Sequence, residues 1–137
     1  MNRLELFRAL HRVDDISTAL KCLQMRIEKL EGCLQGRAIR YDVDKVQTSP
    51  KDPVAEVMGD LEALLKKQTK LQIELTRAVA HTADLLDKLT DNKQLLVMHY
   101  RYMQGASWAS IADLVGVSER HVYRLHDKAI DYLCKNF

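Results

Sequence analysis

Residues 107–133 read SWASIADLVGVSERHVYRLHDKAIDYL, and the reading of this stretch decides what the rest of the chain is for. Ser107 is placed as the N-cap of a short helix with Ile111, Ala112 and Val115 apolar on one side. Val115-Gly116-Val117 breaks it, and Gly116 supplies the permissive backbone of a sharp turn. Ser118 then caps a second helix, and Glu119 in its first turn favours the positive helix end. Val122, Leu125, Ala129, Tyr132 and Leu133 recur at helical steps as one apolar stripe. The opposite side carries Glu119, Arg120, Tyr123, Arg124, Asp127 and Lys128. This is the layout of a helix-turn-helix whose second helix reads a DNA groove.

Each spacing has its own steric job. Ala112 is small where two helices cross, Gly116 follows by four residues, Val122 by six more, and Leu125 by three. The plain alternative is a helical hairpin without a ligand. By position on the second helix, Ser118, Glu119, Arg120, Tyr123, Arg124 and Asp127 face the groove. Arg120 and Arg124 suit guanine edges, and Tyr123 suits apolar or phosphate contact. Lys128 and His121 are placed for phosphates; a solvated side chain is an equal reading of His121.

Tyr100-Arg101-Tyr102-x-x-Gly105-x-Ser107-Trp108-x-x-Ile111-Ala112, followed by Val117-Ser118-x-Arg120-x-Val122-Tyr123-Arg124-Leu125-His126-x-x-Ala129, resembles region 4 of bacterial sigma factors. More closely, it resembles small phage-encoded proteins of the ArpU-type late transcriptional regulator family. The likeness covers residues 93–135; the front two-thirds shares only the layout of two long helices with a Pro-containing connector. The resemblance implies a three-helix DNA-binding unit and control of phage late genes. Ala109 and Ser110 stand where sigma-like sequences carry acidic residues before the Ile-Ala pair, a departure at the positions that bear on contact with RNA polymerase.

At 137 residues, with 47% apolar and 29% charged residues, the chain suits one compact domain or a small domain plus an extended helical element. Five glycines and two prolines point to helices with few turns. No segment reaches the roughly 20 consecutive apolar residues that cross a bilayer, and the N-terminus lacks an apolar signal core. The expectation is a cytoplasmic protein, in the host cytosol, with no membrane partner. Cys22, Cys33 and Cys134 are too few for a closed disulfide set and suit a reducing compartment as small apolar fillers. The net charge of +2 falls wholly in residues 92–137, where six cations meet four acids. So mild an excess predicts modest DNA affinity for one copy and calls for two copies or a partner protein.

Leu6, Ala9, Val13, Ile16, Leu20, Leu23, Ile27, Leu30 and Leu34 alternate steps of three and four without a polar interruption. That is a coiled-coil seam of about four heptads. Gly32 and Gly36 are expected to fray its end. Residues 36–53 are expected as a connector, with Ile39-x-Tyr41-x-Val43 alternating like a short strand, before Pro53 opens a new helix. A second repeat runs Val54, Val57, Leu61, Leu64, Gln68, Leu71, Leu75, Ala78, Thr82, Leu85 and Leu89. Met58, Leu65, Val79 and Leu86 widen it on one flank, and Gln68 and Thr82 are polar breaks that can fix register. An antiparallel hairpin follows from these lengths, with the wide stripe suggesting a homodimer built as four helices. Thr90-Asp91-Asn92 caps a third helix over residues 93–104, with Leu95, Leu96, Met98, Tyr102 and Met103 for core. Trp108 is expected to pack across this unit.

His121 and His126 lie about 140° apart around a helix and cannot share a metal as an i, i+4 pair does. No phosphate-binding glycine loop or nucleophile elbow is present, so neither catalysis, a metal nor a cofactor is expected. The expectation is thus an all-α protein: residues 1–89 an oligomerising long-helix hairpin, and residues 90–137 a helix-turn-helix unit that binds double-stranded DNA. Two rivals stay open. One is a phage terminase small subunit, recognising packaging sites as a ring of many copies. The other is an adaptor that binds RNA polymerase without DNA affinity of its own.

Overall fold

In the computed structural model, residues 1–43 and 53–137 are described, with side chains over 1–36 and 53–137. The protein is all-α: among the described residues there is no strand. The elements are α1 (Arg3–Val43), α2 (Pro53–Leu86), α3 (Asn92–Met98), a π-helical turn (His99–Met103), α4 (Trp108–Val115) and α5 (Glu119–Asn136). No helix of the described residues is long and apolar enough to cross a membrane.

The helix ends follow from side-chain chemistry. Asn2 and Glu5 bond reciprocally at the start of α1: the Glu5 N–H donates to Asn2 Oδ1 at 2.8 Å, and the Asn2 N–H to Glu5 Oε2 at 3.3 Å. Asp91 caps α3 by accepting from the N–H groups of Lys93 and Gln94. The expected fraying at Gly32 and Gly36 is not what the backbone does. α1 continues to Val43, and the strand-like alternation 39–43 lies in helix. A glycine costs only about 1 kcal/mol in a helix, too little to stop a long cooperative one. The remainder of the expected connector, 44–52, lies outside the described residues.

Contacts divide the chain into two compact units whose bounds fall within the long helices. One joins Met1–Ser17 to Glu74–Phe137; the other is Thr18–Ile73. In the second unit, Leu23 and Ile27 of α1 are buried, and Leu20, Leu30 and Leu34 half-buried. α2 answers with Val57, Leu61, Leu64, Gln68 and Leu71, all only half-buried. The Gln68 side-chain amide donates to Gln24 Oε1 at 2.6 Å, so this polar break does join the two helices. Met58 and Leu65, on the expected flank, are exposed, and so are Cys22 and Cys33. The cysteines at 22 and 33 are therefore not core fillers: they fall outside the seven-residue repeat.

The first unit has two apolar clusters. Leu6, Leu10, Leu85, Leu86, Leu89, Met98, Tyr102, Ala129, Ile130 and Leu133 make the larger. Val97, Ile111, Ala112, Val122 and Leu125 make the smaller, with Trp108, Val115 and Val117 packed on it. Adjacent Val97 and Met98 serve different clusters, so α3 is apolar on two sides. Val97 therefore takes the core place expected of Leu96, which is 41% exposed. Thr82 is fully buried in this unit, but its hydroxyl has no hydrogen-bond partner, so it does not fix register by bonding.

Candidate nucleic-acid interface

α4 and α5 meet through a turn whose ends are both closed by side chains. Ser107 Oγ accepts from the Ser110 N–H at 3.2 Å, and Ser118 Oγ accepts from the His121 N–H at 3.2 Å. Between them Gly116 is left-handed at φ 76°, with its N–H on the Ala112 carbonyl at 2.9 Å. The Val117 N–H reaches the same carbonyl at 3.1 Å. Val122 and Leu125 of α5 then close on Ile111 and Ala112 of α4 as the smaller core cluster. This pins α5 about its own axis and decides which residues face out.

The outward residues are Ser118, Glu119, Arg120, Tyr123, Arg124, Asp127 and Lys128, all exposed, while His121 is half-buried. Arg120 and Arg124 stand one turn apart on one face. Among the described residues neither makes a salt bridge, so both guanidinium groups keep their donors for another molecule. Tyr123 does not stand alone: its ring lies 4.8 Å from Trp108, and Arg101 covers the same indole at 4.4 Å. Arg101 is itself tethered to the Ala106 carbonyl at 3.1 Å. Trp108 thus packs across the unit and gives α5 a rigid aromatic support.

Beneath the outward face lies a residue whose role sequence reasoning missed. His126 is 7% exposed, and its Nε2 sits 2.6 Å from the Tyr102 hydroxyl. Its Nδ1 lies 3.4 Å from Asp127 Oδ1. A carboxylate only accepts, so Nδ1 carries the proton and Nε2 accepts from Tyr102. Burial lowers the His126 pKa, against the Asp127 hydrogen bond and charge, which raise it. Burial likewise pushes the Tyr102 hydroxyl up to about 12. Trp108 meets the imidazole edge-on at 4.9 Å, and Phe7 of α1 stacks on it at 6.3 Å. The signal was available: residue 126 is four from Val122 and three from Ala129, squarely on the apolar stripe. Asp127 consequently has a partner inside the protein as well as a place on the outer face. Compared with family models, with curated proteins and with solved structures, the chain finds no match in any of the three.

Proposed function

We propose that the chain is a sequence-specific, double-stranded-DNA-binding transcriptional regulator whose reading helix is α5. The observation that carries this is the pair Arg120 and Arg124, exposed on one face and free of salt bridges among the described residues. The opposite face is held by the capped turn at Gly116 and by Val122 and Leu125. Two arginines at i, i+4 suit guanine edges in a major groove; Ser118, Glu119, Tyr123 and Asp127 flank them, and Lys128 and His121 address phosphates. The likeness of residues 93–135 to sigma region 4 and to phage late regulators supports assigning the targets to late promoters.

With so few cations per copy, affinity is modest and strongly dependent on salt. The test is selection of bound fragments from random DNA, followed by gel-shift titration of the recovered site at fixed salt. Recovery of one site, and loss of about 1–3 kcal/mol of specific binding in Arg124→Ala, is the expected result. Failure to enrich any sequence, together with co-purification with polymerase, would replace this reading by the adaptor.

A further inference from the structure

Between Val54 and Ile73, α2 buries none of its side chains, although α1 in the same unit buries Leu23 and Ile27. The apolar surface of α2 is therefore wider than the seam that α1 covers. Met58, Leu65 and Ile73 are 51%, 40% and 49% exposed. They lie on one ridge with Glu62, Lys66 and Thr69, a face about 100° wide over about 22 Å of helix. Soluble proteins seldom leave such a line of large apolar side chains open to water unless something seats on it.

The charges on this stretch say what seats there. The ionised residues from 54 to 63 are Glu56, Asp60 and Glu62, all acidic; those from 64 to 73 are Lys66, Lys67 and Lys70, all basic. Of these, Glu62 and Lys66 lie on the ridge, while Glu56, Asp60 and Lys67 lie on the other flank of the helix. An acid followed one turn later by a base is complementary to itself when a second copy lies antiparallel, and faces like charge in a copy laid parallel in register. Asp60 shares a groove on the α1 side with Arg26 and Lys29. Glu62 and Lys66 make no salt bridge among the described residues.

We propose that the Met58–Ile73 ridge of α2 docks on the same ridge of a second copy, antiparallel, about a two-fold axis passing between Glu62 and Lys66. Glu62 of each copy then meets Lys66 of the other, and Met58, Leu65 and Ile73 are covered. The contact uses the same patch on both copies and closes at two. It turns two helices with a half-exposed seam into a four-helix core. This assignment stands on α2 alone, whatever α5 binds.

The experiment is the mass of the full chain by sedimentation equilibrium or light scattering, without DNA. The wild type is expected at twice 15.8 kDa. Glu62→Lys and Lys66→Glu, each checked for helicity by circular dichroism, are each expected to raise the dimer dissociation constant by at least about tenfold. An equimolar mixture of the two variants restores the dimer, because each then meets an opposite charge. The doubly exchanged chain, E62K with K66E, dimerises with itself. Mixing repairs a contact between copies and cannot repair a fault inside one helix, so the rescue is specific. A monomeric wild type, with the ridge left for a different protein, overturns the proposal. So does a mass above two copies, or a dimer indifferent to both charge reversals. DNA affinity is not read in any arm, so loss of the DNA-binding proposal would leave this result standing.

Discussion

Thr82 and His126 show two opposite outcomes for a polar side chain in a core. The Thr82 hydroxyl is fully buried without a partner, so replacing it by a methyl of the same shape removes a desolvation cost and nothing else. Thr82→Val is expected to stabilise the protein by about 1 kcal/mol in urea titration. His126 instead has both ring nitrogens placed against partners. The folded chain holds it neutral by burial, whereas the unfolded chain protonates it near 6.5. The unfolded state therefore takes up more protons below that pH. Stability is full above about 6.5 and is lost as the pH falls from there through the lower folded value. Thermal midpoints measured from about pH 8 to pH 5 should drop at the acid end, and His126→Gln, which keeps an acceptor for Tyr102 but cannot titrate, should flatten that drop. Such a histidine looks like a surface or metal residue only when it is read apart from its stripe.

Among the elements, the long helices were largely legible and the short ones less so. A repeat sustained from Leu6 to Leu34 outvotes local detail, and every member of it is buried or half-buried. The caps at Ser107, Ser118 and Asp91 were equally plain, because each is a local match of one hydroxyl or carboxylate to nearby N–H groups. The turn at Gly116 gives a direct check. A Cβ there would meet nothing within 4 Å, so any cost of adding one is the left-handed backbone itself. Gly116→Ala should lose about 1 kcal/mol in chemical denaturation, and Gly116→Asn, which tolerates that conformation, clearly less. The π-helical turn at His99–Met103 left no mark in the sequence. It is a one-residue excess in an otherwise regular helix, and periodicity counted in a short window cannot register it. Leu96 and Val97 precede that turn, and an apolar run such as Leu95-Leu96-Val97-Met98 does not by itself say which of its members face the core.

For the whole molecule, capping residues cluster at residue 90 and mark a helix boundary there, and the contacts group Met1–Ser17 and Glu74–Leu89 with the C-terminal helices. Leu6, Leu10, Leu85, Leu86 and Leu89 supply half of the larger cluster in that unit. A fragment of residues 90–137 alone is therefore expected to lose cooperative thermal unfolding by circular dichroism, whereas one that melts as sharply as the full chain would show that these residues fold without the long helices. The face of α5 was legible because its two sides differ in chemistry; its aromatic support was not, since Phe7 and His126 lie 119 residues apart in the chain.

That separation has a consequence during synthesis. Leu6 and Leu10 leave the ribosome some 120 residues ahead of the Ile130 and Leu133 they cluster with. At about 5–20 residues per second the cluster around Leu6 and Leu10 stays incomplete for roughly 6–24 s, until Ile130 and Leu133 are made. The nascent chain is thus an expected client of cotranslational chaperones, and slowing translation should raise its tendency to aggregate before it is released.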